Sequence, residues 1–156
     1  MLSAESLAMI DKEVAKYPPE QKGSAVMAAL RIAQEEHGWL SVPLMDYVAE
    51  LLSLRPIRVY EVASFYSMYD LKPVGKHKIS VCTNISCLLC GSDGVVTHLE
   101  KKLGIKMGET TQDGRFTLKE VECLAACGGA PMFQIGKTYY ENLTPDKIDQ
   151  VLAALD

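Results

Sequence analysis

Apolar residues recur three and four positions apart through the first half of the chain, which is the spacing of one face of an α-helix. Ser3 and Ser41 are suitable N-caps, and Gly38 is a suitable C-cap. The pattern predicts four helices, over residues 3–16, residues 20–37, a third segment from Ser41 up to a break at Pro56, and residues 58–65. No strand-like alternation interrupts them, so residues 1–74 are predicted to form a helical N-terminal region.

The pattern changes at Lys72-Pro73-Val74-Gly75, after which apolar and polar residues alternate in short runs. Strands are predicted over 78–82 and 116–122, and a hairpin over 130–135 and 138–141. Helices are predicted over 93–103 and after Thr144-Pro145, as N-cap and first helical residue. This order predicts an α+β chain, with a thioredoxin-like mixed-sheet domain over residues 75–156 after the helical bundle.

Composition and charge exclude several classes of protein. The chain has 156 residues, 48% of them hydrophobic, and a formal net charge of −4 without a Lys/Arg stripe, which argues against nucleic-acid binding. It shows no apolar run of membrane-spanning length and no visible signal peptide, so we expect a cytoplasmic protein. It also lacks the glycine-rich motifs of nucleotide binding, so no NADH or flavin site of its own is expected.

Four of the five cysteines form two close pairs, Cys82-x4-Cys87 and Cys123-x3-Cys127. Each pair follows a predicted strand, so the two loops can face each other at one edge of the sheet. Four thiolates are the ligand set of an iron–sulfur cluster or of a structural zinc ion. The glycines after Cys127 allow a close approach of the backbone to such a group.

The fifth cysteine, Cys90, leaves a second ligand set open. Cys82, Cys87 and Cys90 have the plant-type ferredoxin spacing, which needs only one further cysteine downstream. We favour the paired set, because the plant-type set leaves either Cys123 or Cys127 without a role. Two other classes remain as alternatives: a structural zinc adaptor protein, and a thiol–disulfide enzyme that uses the Cys87-Leu-Leu-Cys90 motif.

The chain resembles the small 2Fe–2S subunit (NuoE type) of the NADH-oxidising module of respiratory complex I, an NADH:quinone oxidoreductase and translocase. The resemblance covers the chain from about Tyr17 onward. Four stretches carry it: residues 35–40 (EEHGWL), 57–69 (IRVYEVASFYSMY), 81–83 (VCT) and 122–127 (ECLAAC). It implies a helical N-terminal region, a thioredoxin-like domain, and a 2Fe–2S cluster whose irons are held by Cys82 with Cys87 and by Cys123 with Cys127.

The resemblance also implies how such a subunit works. Its partner is a larger subunit that carries FMN, the NADH site and a 4Fe–4S cluster, and the small subunit accepts one electron from that FMN without catalysing a reaction itself. Membrane contact occurs only through the complex, at the inner membrane. NAD-linked hydrogenases and formate dehydrogenases contain equivalent subunits. Two features depart from the family pattern: Cys90 is not a family ligand, and Asn84-Ile85-Ser86 replaces a small, glycine-containing run.

Overall fold

The computed structural model describes residues 1–155, and the chain forms two compact units, Met1–Pro73 and Val74–Asp156. The first unit is helical. Its elements are α1 (Ala4–Val14), a 3-10 helix (Pro19–Ala25), α2 (Val26–His37), α3 (Val42–Leu52) and α4 (Pro56–Phe65). In the part of the chain that is described, no helix is long and apolar enough to cross a membrane.

The caps predicted from sequence bound these helices. The Ser3 side chain accepts from the Ser6 N–H at the start of α1, and the Ser41 side chain accepts from the Leu44 N–H at the start of α3. Gly38 ends α2 in the left-handed conformation, at φ 81°. These three residues therefore cap the helices as predicted, because each supplies what an unsatisfied helix end requires.

Two helix boundaries differ from the prediction. The segment predicted as one helix over 20–37 begins as a 3-10 helix, because Gln21 leaves the helical region at φ −117° and Gly23 is a weak helix former. Pro56 does not break α3, which already ends at Leu52 with Ser53 in the left-handed conformation. Instead Pro56 is the first residue of α4, where its missing N–H costs nothing.

The helical unit has its own apolar core, formed by one face of each helix. Leu30, Val48, Leu52 and Val59 are among its fully buried side chains. Tyr69 closes this core after α4, and its hydroxyl donates to the Met27 carbonyl at 2.8 Å. The burial of apolar side chains at helical spacing is the main source of stability for such a bundle.

The second unit is a four-stranded mixed sheet with helices. Its elements are β1 (His77–Cys82), α5 (Ile85–Leu89), α6 (Ser92–Leu103), β2 (Phe116–Val121), a 3-10 turn (Cys127–Gly129), β3 (Phe133–Ile135), β4 (Thr138–Tyr140) and α7 (Pro145–Ala153). The strand order is β2-β1-β3-β4. β1 and β2 are parallel, and β3 pairs antiparallel with both β1 and β4.

The helix α6 is the crossover between the parallel strands β1 and β2, so it runs opposite to them. Its residues Val95 and Leu99 are buried in the same core as Ile79 and Val81 of β1. The first turn of α6 therefore lies at the end of the sheet where β1 terminates. This is the end at which the first cysteine pair begins.

The α+β class and the order of strands and helices are confirmed. The predicted strands over 78–82 and 116–122 correspond to β1 and β2, and the predicted hairpin corresponds to the shorter β3 and β4. Thr144 caps α7, where its hydroxyl accepts from the Lys147 N–H. The short helix α5 was not predicted, because five residues are too few to show a helical period.

Candidate metal centre

The first cysteine pair begins at the C-terminal end of β1. Cys82 is the last residue of this strand and is 3% exposed. Its N–H donates to the Met132 carbonyl at 3.2 Å, and its Sγ donates to the Glu122 carbonyl at 3.7 Å. Both flanks of Cys82 are therefore held by the chain segments that carry the rest of the candidate site.

The second pair starts at the neighbouring strand end. Cys82 is in register with Val121, the last residue of β2, and Cys123 follows two residues later. The Thr83 N–H donates to the Val121 carbonyl at 3.1 Å, which extends the pairing one residue past the strands. Because β1 and β2 are parallel, both cysteine loops leave the sheet at the same edge, as the sequence predicted.

Cys87 is placed by the short helix α5. The Asn84 side chain accepts from the Ile85 N–H at 2.6 Å and caps this helix, so the residues that depart from the family pattern have a structural role. Cys87 is 2% exposed and packs with Cys82 and Met132. Burial, followed by the hydrogen bond with the adjacent Cys82 side chain, raises the pKa of the Cys87 thiol to about 11. Ligation of a metal through this sulfur therefore requires the release of a firmly held proton.

The loop that carries Cys123 and Cys127 packs onto the first pair. Leu124 and Ala126 are partly buried against Cys82, Cys87 and Met132. Ala125 lies between them in the left-handed conformation at φ 58°, and its N–H donates to Cys123 Sγ at 3.3 Å. Cys123 and Cys127 themselves are exposed. Cys82 and Cys87 are thus buried under the loop, whereas Cys123 and Cys127, which the loop carries, are exposed.

The glycines after Cys127 differ from each other in their surroundings. Gly128 is exposed, and a Cβ at this position meets nothing within 4 Å. Gly129 is buried, and a Cβ there meets the Glu141 Cβ at 2.5 Å. The Asn142 N–H donates to the Gly129 carbonyl at 2.6 Å, so the two segments approach too closely for a side chain. The Ala130–Pro131 peptide bond, which follows these glycines, is cis.

Cys90 follows α5 and is exposed. Its N–H donates to the Ser86 carbonyl at 3.2 Å, and its side chain does not belong to the buried group of Cys82, Cys87 and Met132. Within residues 1–155, no three His, Cys, Asp or Glu side chains are grouped so as to hold a single metal ion. The cysteines are instead arranged as two pairs from two loops.

Several residues of this site were not identified from the sequence. Met132 closes the buried side of Cys82 and Cys87, and Glu141 fills the space beside Gly129. Both are distant from the first cysteine pair along the chain, and neither belongs to a recognisable motif. Only the sheet pairing brings them to the site, so periodicity and spacing contain no signal for them.

The sequence is similar to one protein family over nearly its whole length. The family model for thioredoxin-like 2Fe–2S ferredoxin matches residues 10–156. The E subunit of the NADH-quinone oxidoreductase of Rickettsia conorii is 49% identical over 151 residues, which are 96% of this chain and 90% of that protein. An E subunit of the Rhizobium meliloti NADH-quinone oxidoreductase, the one numbered E 2, is 47% identical over 143 residues, which are 92% of this chain and 84% of that protein. These matches confirm the resemblance drawn from the sequence motifs.

The fold is similar to part of a larger solved structure. The NAD⁺-reducing NiFe-hydrogenase in its air-oxidised state superposes with a TM-score of 0.70 and 21% sequence identity. The match covers 81% of this chain and 22% of the hydrogenase chain. At this level of identity the match supports the fold alone.

Proposed function

The chain belongs to the thioredoxin-like 2Fe–2S ferredoxin family, and we propose on that premise that its two cysteine pairs hold a 2Fe–2S cluster. The pairs are Cys82 with Cys87 and Cys123 with Cys127. We propose further that the chain is the electron-transfer subunit of an NADH-quinone oxidoreductase, like the relatives of that name.

One observation carries the proposal: the two cysteine pairs leave adjacent parallel strands at the same edge of the sheet. Cys82 ends β1 in register with Val121, and the loop from Cys123 to Cys127 packs over Cys82 and Cys87. Each iron of a 2Fe–2S cluster takes two cysteine thiolates, so two pairs on facing loops match its donor set. The residues present therefore fit the cluster.

The family match favours a cluster over a structural zinc ion, because the matching family is one of 2Fe–2S ferredoxins. A closed zinc site can also take four cysteines, so the two pairs alone do not separate the two groups. The second unit also has an apolar core of its own around Ile79, Leu118 and Phe133, so it does not need a metal ion to complete its core.

The chain is proposed to transfer single electrons without binding NADH or a flavin itself. When bound, a 2Fe–2S cluster takes up and releases one electron at a time. NADH donates two electrons as a hydride, so a flavin has to separate them, and the sequence has no glycine-rich motif for binding either molecule. We therefore propose that FMN, NADH and a 4Fe–4S cluster are held by a larger partner subunit. In this proposal the chain is a non-catalytic part of an oxidoreductase.

We propose the following division of roles between the two parts of the chain. Residues 75–156 form the ferredoxin domain, and residues 1–74 form a helical region that contributes to partner binding. Phe65 is 79% exposed at the end of α4, which suits a contact with another protein. Contact with the membrane is proposed to occur only through the assembled complex, on the cytoplasmic side of the inner membrane.

The equivalent subunit of an NAD-linked hydrogenase is the second candidate. A chain of an NAD⁺-reducing NiFe-hydrogenase contains a region of the same fold, so the fold alone does not separate the two candidates. The two candidates share the cluster and the flavin partner and differ only in the rest of the complex. Isolation of the native complex from cell extract, with identification of its other subunits, separates them.

Metal and sulfide analysis tests the proposed cluster. The purified chain should contain the two irons and two acid-labile sulfides of a 2Fe–2S cluster, with a red-brown colour. An EPR signal should appear only after reduction, because the oxidised cluster is diamagnetic. A tightly bound zinc ion without sulfide would show that the site is structural.

A further inference from the structure

A buried hydroxyl group lies at the start of α6. Ser92 is the first residue of this helix and is 0% exposed. In the described part of the chain, residues 1–155, its Oγ has no hydrogen-bond partner. A buried polar group without a partner is destabilising, so such groups are rare in folded proteins and each calls for an explanation, such as a bound group that supplies the missing partner.

Ser92 lies at the end of α6 that is beside the Cys82–Cys87 pair. Val95 and Leu99 follow at three and seven residues, so Ser92 lies on the same, sheet-facing side of α6. Because α6 runs opposite to β1, its first turn lies beside the end of β1, where Cys82 is located. The helix α5, which carries Cys87, also packs on α6.

The Ser92 side chain does not cap α6. Gly91 is the N-cap of α6, and no side chain satisfies the first N–H groups there. Substitution of Ser92 by a residue without a hydroxyl would therefore remove no hydrogen bond within the described residues. The hydroxyl thus has no structural role in helix capping, although it occupies a fully buried position.

The chemistry of the cysteines supplies an acceptor for this hydroxyl. A thiol sulfur is a weak acceptor, but a thiolate carries negative charge and accepts hydrogen bonds well. Ligation of Cys82 and Cys87 converts both sulfurs to thiolates. A hydroxyl that donates to such a sulfur stabilises the more negative, reduced state of an iron–sulfur centre and raises its reduction potential.

We propose that Ser92 donates a hydrogen bond to a thiolate of the Cys82–Cys87 pair and raises the reduction potential of the centre. This inference rests on the proposed function, since it requires the cluster. Ser92 is then not a ligand of the cluster, and it acts on the reduction potential through the ligating sulfur. Its contribution favours acceptance of the electron from the partner's flavin.

Redox titration of Ser92→Ala tests the inference. The variant should keep its iron and sulfide, and its potential should be lower than that of the wild type. We expect about a tenfold lower ratio of reduced to oxidised centre at the same ambient potential, which is about 59 mV for one electron. Thr97→Ala is the matched control, because Thr97 is an exposed hydroxyl residue on the same helix. Its potential should be unchanged.

A second variant separates the hydroxyl from the shape of the site. Ser92→Thr keeps the hydroxyl and should keep the potential closer to that of the wild type than Ser92→Ala does. The inference is overturned if Ser92→Ala keeps both its cluster and the wild-type potential, or if both variants lower the potential equally. If the wild-type chain contains no iron and sulfide, the proposed function fails, and this inference fails with it.

Discussion

At the scale of single residues, Cys90 tests the choice of ligands because it lies three positions after Cys87. Cys87 is buried with Cys82 and Met132, whereas Cys90 is exposed outside that group. Cys90→Ser should therefore retain wild-type iron and sulfide contents. Serine in place of any of the four paired cysteines removes a thiolate and should lower both contents, as measured by metal and sulfide analysis of equal amounts of protein. The paired cysteines are Cys82, Cys87, Cys123 and Cys127.

The opposite result has a defined meaning. If Cys90→Ser loses iron and Cys127→Ser retains it, the ligand set is the plant-type one, and our assignment is wrong. Thermal unfolding of each variant serves as the control, because loss of iron identifies a residue as a ligand only if the variant is still folded.

Gly129 is needed for a close approach rather than for an unusual backbone angle. A Cβ at Gly129 meets the Glu141 Cβ at 2.5 Å, so Gly129→Ala should destabilise the second unit by about 1–3 kcal/mol, as other overpacked sites are. Gly128→Ala is the matched control, because a Cβ there meets nothing within 4 Å. Chemical denaturation of both variants measures the difference. Equal stability of the two variants would contradict this account.

The cysteines of the site could be identified from the sequence, but the residues that surround them could not. The cysteine spacing and the strands before each pair predicted that the two loops share one edge of the sheet, and the pairing of Cys82 with Val121 bears this out. The contacts of Gly129 with Glu141 and the burial of Ser92 depend on segments far apart in the sequence or on how a helix packs. A one-dimensional pattern does not contain these contacts.

At the scale of elements, strong caps and long periodic stretches were predicted well, and short elements were not. The capped helix α3 and the strand β1 correspond to clear periods of about four and two residues. In contrast, α5 has five residues, and the seven-residue 3-10 helix before α2 is interrupted by the non-helical backbone of Gln21. Neither is long enough to show a helical period of its own, which is why the sequence pattern missed them.

An ion pair between α6 and α7 makes the stability of the second unit dependent on pH. His98 Nε2 lies 2.9 Å from Asp149 Oδ1, and Lys102 Nζ lies 3.2 Å from Asp149 Oδ2. These contacts, the His98 hydrogen bond first, hold the pKa of the Asp149 carboxyl below its ordinary value. Because the folded-state pKa is the lower one, this stabilisation is present above the unfolded-state pKa and is lost as the pH falls through the folded-state value.

Asp149→Asn should therefore lower the melting temperature near neutral pH, and the difference from the wild type should disappear in strong acid. The Asp149 side chain is 41% exposed, so the effect should be small and should decrease in high salt. Calorimetry across a pH series measures it. In a Lys102→Met background the same substitution should have a smaller effect, since one partner is already absent. A difference that persists unchanged at low pH would assign the effect to packing instead.

At the scale of the whole molecule, each unit has an apolar core made only from its own residues. The helical core contains side chains from Leu2 to Tyr69, and the sheet core contains side chains from Ile79 to Leu152. All five cysteines belong to the second unit. The cysteines that are proposed to hold the cluster therefore all lie in the unit that contains the sheet.

The absence of a nucleotide motif predicts how the isolated chain responds to NADH. The sequence has no glycine-rich phosphate-binding motif, and a one-electron centre cannot take a hydride without a flavin between them. The purified full-length chain should therefore stay oxidised in the presence of NADH, as followed by its visible absorbance. Dithionite should reduce the same sample, which shows that the centre is competent. Addition of the proposed flavin-carrying partner subunit should then make reduction by NADH rapid. Rapid reduction of the isolated chain by NADH alone would mean that the chain has a nucleotide site of its own and does not depend on the partner's flavin.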